Sequence, residues 1–342
     1  MQFDPDAAAA PGSGLFGLPH GPADAFVHVL PVPFEATTSY RGGTSLGPEA
    51  VLAASHQVDL YDLETGEPWR RGIWMAPIDA RIAAWNAEAK ELAAPIIARG
   101  GAAESGADDA AVARVDALSA RMNAFVHGAT SAALEAGKLP VLLGGDHSTP
   151  FGAIQACAER HPGLGVLQID AHADLRVAYE GFRWSHASIC HNVLAECPEV
   201  AHLVQVGIRD LGSAERERME TDPRITGVFD TDWAKARRKG KLKRLVRGAL
   251  DTLPDDVYLT FDVDGLEPNL CPGTGTPVPG GLTWDEAMLV LRMLASSGKR
   301  VVGLDLNEVS AGVAGDADGA SWDAMVGARL LYRLIGFAVA TR

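Results

Sequence analysis

The sequence predicts an α/β fold of three layers, α/β/α, around a central, mostly parallel sheet. Two observations carry that prediction. Short runs that are apolar at nearly every position alternate with segments of helical periodicity through most of the chain. A strand that is apolar on both sides of its pleat needs cover on both faces, and sheets covered in this way are built from parallel strands joined by helical crossovers.

Residues 1–24 are rich in Ala, Gly and Pro and read as a loosely held N-terminal arm, followed by one domain over 25–342. AFVHVLPVP at 25–33 reads as a first buried strand, stopped by its prolines. Gly42, Gly43 and Gly47 form a loop into PEAVLAASHQVDLY, where Pro48 suits a first helical turn. From 84 to 137, apolar residues recur at helical spacing, as at Leu118, Met122, Phe125 and Val126. Gly100, Gly101 and Gly106 divide that stretch into at least two helices. Further strands are expected at 139–145 (LPVLLGG), 164–170 (LGVLQID), 202–208 (HLVQVGI), 256–264 (DVYLTFDVD) and 300–309 (RVVGLDLNEV). Helices are expected at 150–160, 186–195, 213–220, 232–251, 283–297 and 321–338.

Charge and composition narrow the function. The chain has 342 residues with 30 Lys and Arg against 44 Asp and Glu, a formal net charge of -14. Such a surface repels nucleic-acid phosphates and draws in small cations. At 47% hydrophobic residues the chain can bury a full core, which excludes wholesale disorder. Cys157, Cys190, Cys197 and Cys271 form no CxxC pair and read as reduced thiols. No basic region followed by an apolar run opens the chain, and no apolar stretch is long enough to span a membrane, so a soluble, cytoplasmic protein is expected. The basic block at 233–248 reads as the solvated face of a helix.

The chemistry is concentrated at strand ends. Asp146, His147 and Ser148 follow LPVLLGG; Asp170, His172 and Asp174 follow GVLQI; Asp262 and Asp264 follow VYLTF; Glu308 ends the run at 300–309. Ligands bind outside the carboxyl ends of parallel strands, so these residues should converge on one crevice. In extended chain, positions i, i+2 and i+4 point the same way, which sets Asp170, His172 and Asp174 together, and Asp262 with Asp264. Crowded carboxylates repel one another unless cations neutralise them. The four aspartates 170, 174, 262 and 264 carry the charge that two divalent metals would balance. Hard oxygen donors with imidazole and no thiolate favour Mn²⁺, with Ni²⁺, Co²⁺ or Fe²⁺ as alternatives, over a structural zinc.

GGDHS, DAHAD, SHAS and FDVDGLEP with TGTPVPGG resemble the motif set of the ureohydrolases, the arginase and agmatinase family, over about residues 26–338. PFEATTSYRGGTSLGPEAV is similar to the substrate-side loop of agmatinases. The resemblance implies a single arginase-like α/β fold, a two-manganese centre, hydrolysis of a guanidino group to urea and an amine, and a homo-oligomer, usually a trimer or hexamer. It implies one metal held by His147, Asp170, Asp174 and Asp262, and a second by Asp170, His172, Asp262 and Asp264. His186 matches a proton-shuttling histidine, and Glu308 the carboxylate that receives a cationic guanidinium. Asp174 and His186 are the candidate proton carriers, with Asp146 expected to orient a ligand rather than to be one.

Several positions depart from that pattern. Arg176 follows Asp174 by two residues, placed either to read a substrate carboxylate or to pair with Glu180. Gly212 stands where arginases carry an acid that reads the α-ammonium, with Asp210 nearby as a substitute. Glu267 replaces an aspartate, Cys271 lies near the TGTP loop, and Trp184 and Trp322 are expected to narrow the entrance. Agmatine is therefore the leading substrate. Guanidinobutyrate, other guanidino acids, small guanidines, arginine and formiminoglutamate are alternatives, as is a catalytically silent subunit or a deacetylase-type hydrolase.

Overall fold

Among the described residues, eight strands build one sheet: β1 (Val27–Val32), β2 (Ile73–Met75), β3 (Leu139–Gly144), β4 (Leu164–Ile169), β5 (Val200–Ile208), β6 (Ile225–Phe229), β7 (Asp256–Asp262) and β8 (Arg300–Asn307). Their order is β2-β1-β3-β8-β7-β4-β5-β6, and every neighbouring pair is parallel. This computed structural model describes residues 3–10, 12–311 and 321–342; residues 1, 2 and 11 of the expected arm lie outside them.

The helices are α1 (Gly47–Ser55), α2 (Ala80–Ile97), α3 (Asp109–Glu135), α4 (Phe151–Arg160), α5 (Ile189–Glu196), α6 (Ser213–Thr221), α7 (Asp230–Arg238), α8 (Leu242–Leu250), α9 (Trp284–Ala295) and α10 (Trp322–Ala340). They cover the sheet on both faces, and successive strand residues feed opposite cores. Val141 and Leu143 join a cluster with α9 and α10 residues such as Val290 and Leu330. Leu142 between them joins a second cluster with Leu118 and Met122 of α3 and Ile154 of α4. Two-sided burial explains why the central runs are apolar throughout rather than alternating.

Both edge strands escape the sequence pattern. β2 has only three residues, two of them partly exposed, and β6 (ITGVF) is half-exposed with a central glycine. The helix expected over 232–251 is two helices, divided at Gly240, whose φ of 62° is left-handed. Its basic residues do lie on solvated faces: Trp233 and Val246 are buried, while Arg237 pairs with Glu286. The expected helix at 186–195 opens as a short 3-10 turn, His186–Ser188, before α5. In the expected arm, Leu15, Phe16 and Leu18 are at most 3% exposed, and the Phe16 ring packs edge-on against Tyr332 of α10. Apolar anchors set in a Gly- and Ala-rich context explain that packing.

Candidate metal centre and substrate cleft

The central strands β3, β8, β7 and β4 are consecutive in the sheet, and their carboxyl ends carry the acidic motifs with His147 and His172, while His186 comes from the 3-10 turn before α5. Backbone packing there is close. A Cβ at Gly145 would lie 2.0 Å from the Phe34 carbonyl oxygen, so only glycine lets the chain after β3 turn towards the site. The Glu308 N–H then donates to Gly145 O at 2.8 Å, and His147 N–H donates to Glu308 Oε1 at 2.8 Å.

The acids past β4 converge through a loop rather than through extended chain. β4 ends at Ile169, His172 N–H donates back to Asp170 Oδ1 at 2.7 Å, and Asp174 has a φ of 53°. Glu308 is left-handed too, at 63°. Non-glycine residues rarely adopt this region, and such strain clusters where structure is fixed for function. Past β7, a 3-10 turn over Val263–Gly265 carries Asp264, whose N–H donates to Asp262 Oδ1 at 2.8 Å. Asp264 Oδ1 in turn accepts from Ala171 N–H at 3.0 Å, tying the two acidic loops together.

His147 Nδ1 faces Asp170 Oδ2 at 2.9 Å, Asp174 Oδ2 at 3.1 Å and Asp262 Oδ2 at 3.5 Å. His172 Nδ1 lies 3.0 Å from Asp264 Oδ2 and 3.6 Å from Asp170 Oδ1. Two donor groups result, His147 with Asp170 and Asp262, and Asp170 with His172 and Asp264; within each the donor atoms lie within 4.8 Å of one another. Asp170 belongs to both. Despite its close carboxylates, buried His147 Nδ1 makes no hydrogen bond among the described residues. A lone pair aimed into three carboxylates fits a cation.

Within the protein alone, the electrostatics are tense. Burial and the charge on Asp170 push the Asp174 carboxyl up to about 7, and burial with Asp264 and Asp170 pushes Asp262 well up. Burial opposes the charge on His172, but Asp264 and Asp170 outweigh it and raise the imidazole to about 12. A protonated His172 thus stands where a divalent cation would balance the same carboxylates, so metal uptake must release protons. Burial, reinforced by the His172 and His147 charges, lowers His186 to about 4 and keeps it neutral. Burial and Asp146 push Glu308 up, and its buried Oε2 has no hydrogen-bond partner among the described residues.

Above this floor opens a cleft of about 290 Å³, lined by His172, Asp174, His186, Tyr40, Arg176, Tyr179, Asp210, Glu215 and the Thr276–Pro277–Val278 segment. Arg176 turns to Glu215 at 3.6 Å rather than to Glu180, and its guanidinium lies 4.9 Å from the Tyr179 ring centre. Glu215, which the motifs did not single out, accepts Leu175 N–H at 3.0 Å and Gly212 N–H at 2.7 Å at the start of α6. The two tryptophans do not line this cleft: Trp184 packs on Phe151, and the Trp322 indole donates to Asn269 O. Cys271 is a buried free thiol, as are the other three cysteines. Asp146 is fully buried, accepting from Ser148 N–H at 3.0 Å, and burial raises it to about 6.

Sequence reasoning missed a polar layer beneath the floor. Gln168, Thr260 and Asp305 are fully buried in otherwise apolar strands. Gln168 and Thr260 each stand two positions before a strand-end acid, so the period of the pleat was the available signal.

Fold and site together define a three-layer α/β/α protein with an acid and imidazole cluster suited to divalent metal at the ends of its parallel strands. The arginase family model matches residues 25–336. N(1)-aminopropylagmatine ureohydrolases from Synechocystis sp. and Thermus thermophilus are each 33% identical, over 92% and 94% of this chain and 90% and 94% of theirs. The chain belongs to the arginase family. The crystal structure of proclavaminate amidinohydrolase from Streptomyces clavuligerus superposes with a TM-score of 0.71 at 24% identity, covering 98% of this chain and all of the other, a likeness of fold. No helix among the described residues is long and apolar enough to cross a membrane.

Proposed function

We propose that this chain is an agmatinase-like, two-metal hydrolase that cleaves a small cationic guanidino compound to urea and an amine. The observation that carries the reading is the sharing of Asp170 by two donor groups at the floor of an open cleft. One ion would be held by His147, Asp170, Asp174 and Asp262, the other by Asp170, His172, Asp262 and Asp264. Oxygen and imidazole donors without thiolate favour Mn²⁺. When bound, two such ions supply a water acidic enough to ionise near neutral pH.

The chain's own residues do the rest. Glu308 Oε2, without a hydrogen-bond partner among the described residues, receives a guanidinium N–H; Oε1 already accepts from His147 N–H, so the contact rests mainly on one oxygen. Glu308 can be ionised when a cation sits against it, which opposes the upward push of burial. His186, neutral at the cleft wall, is in the state to accept a proton and pass it on towards the leaving nitrogen. Asp174, raised to about 7 in the protein alone, is the second proton carrier.

At the outer end, exposed Asp210 suits the ammonium tail of agmatine or a longer polyamine analogue. Arg176 supports a second reading, in which the tail is a carboxylate as in guanidinobutyrate. A guanidinobutyrase from Pseudomonas aeruginosa is 29% identical over 94% of this chain. Cytoplasmic location and a homo-oligomer, trimer or hexamer, complete the proposal.

Urea release from agmatine, aminopropylagmatine, 4-guanidinobutyrate and arginine, with Mn²⁺ and separately with Ni²⁺, tests it. The expected order puts an amine-tailed compound first and arginine behind by about tenfold to a few hundredfold in kcat/KM, because Gly212 offers its α-ammonium no acid. Arginine leading under either metal overturns the agmatinase-like assignment, and no urea from any of the four overturns the reaction.

A further inference from the structure

A row of buried polar side chains crosses the sheet one layer below the metal centre. Register pairs Gln205 of β5 with Gln168 of β4, Gln168 with Thr260 of β7, and Thr260 with Asp305 of β8. All four are at most 1% exposed. Polar groups cost free energy to bury, and a carboxylate costs most, so an apolar sheet interior does not keep them without a task.

Their hydrogen bonds lead upward into the donor groups. Gln168 Nε2 donates to Asp170 Oδ2 at 2.6 Å. His147 Nε2 lies 2.8 Å from Thr260 Oγ1, and the Thr260 hydroxyl donates to Asp305 Oδ1 at 2.8 Å. Asp305 Oδ1 also accepts from Phe261 N–H at 3.2 Å and from the Asn307 amide. A threonine hydroxyl has one proton, and an ionised carboxylate can only accept. With that proton committed to Asp305, Thr260 Oγ1 has only lone pairs to offer His147, so Nε2 must carry the imidazole hydrogen. Nδ1 is then left with its lone pair facing Asp170, Asp174 and Asp262.

We propose that Asp305, acting through the Thr260 hydroxyl, is a positioning residue that locks His147 in the Nε2–H tautomer and presents Nδ1 to the cation. The inference rests on His147 being a metal ligand. Partners of this kind fix ring orientation and typically change metal affinity by about 10–100-fold when lost. Valine is close to the shape of threonine and can make no relay; serine keeps the hydroxyl.

The test is Mn²⁺ affinity, measured by chelator competition on the full chain, for wild type, Thr260→Val, Thr260→Ser and Asp305→Leu, with the melting temperature of each metal-free protein alongside. Thr260→Val should weaken one of two Mn²⁺ ions by about 10–100-fold with little change in metal-free melting temperature, and Thr260→Ser should restore binding. Asp305→Leu should match Thr260→Val; if it fails to fold, the Thr260 pair decides. Wild-type affinity in Thr260→Val overturns the proposal, as does an affinity loss that Thr260→Ser shares or that only tracks lowered metal-free stability. A wild type that binds no pair of ions overturns the metal reading itself and this inference with it, a result distinct from two ions bound equally well by wild type and Thr260→Val.

Discussion

At the floor of the cleft, His147, Asp170 and Asp262 are at most 3% exposed, and the backbone around them is pinned by Asx-type turns and left-handed residues. At the mouth, Tyr40 is 72% exposed. The Arg176 side chain there meets Glu215 and the face of Tyr179. A fixed, charged floor and a solvated mouth have different tasks. The floor sets what bond is broken, and the mouth sets which tail is welcome. Changes at the floor should therefore abolish the reaction, while changes at the mouth should redistribute it among substrates.

The largest effect is expected from Asp262→Asn. It removes one of the four aspartate charges and replaces an anionic donor by a poor amide, so bound metal should fall and urea release should vanish. Near-normal turnover with two ions per chain would break the comparison at its base.

His186→Ala comes next, with turnover slowed by about 10²–10⁴-fold and both ions kept. His186 sits at the border between floor and mouth, with its imidazole held neutral by burial and nearby positive charge. An unchanged rate would assign it to the wall alone.

The smallest effects belong to the mouth. Asp210→Asn should weaken amine-tailed substrates by up to about fivefold in kcat/KM, and Arg176→Ala should leave them nearly unchanged while weakening carboxylate-tailed ones, since an exposed charge contact contributes about 0.2–1 kcal/mol. The reverse pattern would make the guanidinobutyrate reading the better one.

The floor was legible in the sequence and the mouth was not, for a physical reason. Floor residues sit at fixed offsets from apolar strand ends, so DAHAD and FDVDG reveal both their identity and their convergence. The loop geometry at Asp174 was not visible, because the pleat rule applies only to extended chain and β4 stops at Ile169. Glu215 reaches the cleft from the first turn of α6, and nothing local marks a capping acid as part of a wall. The same holds for Trp184 and Trp322, whose packing partners lie far off in the chain. β2 and β6 were missed because edge strands bury too little to be continuously apolar.

The measurement closest to the central claim is the number of Mn²⁺ ions bound per chain as a function of pH, with urea release from agmatine followed on the same samples. Protons compete with metal for His172, raised to about 12, and for Asp174, raised to about 7, so binding must weaken as pH falls. Two ions per chain and urea release at pH about 8, both lost together towards pH about 5, are predicted. Full activity near pH 5, or urea release from a chain holding no metal, would contradict the account.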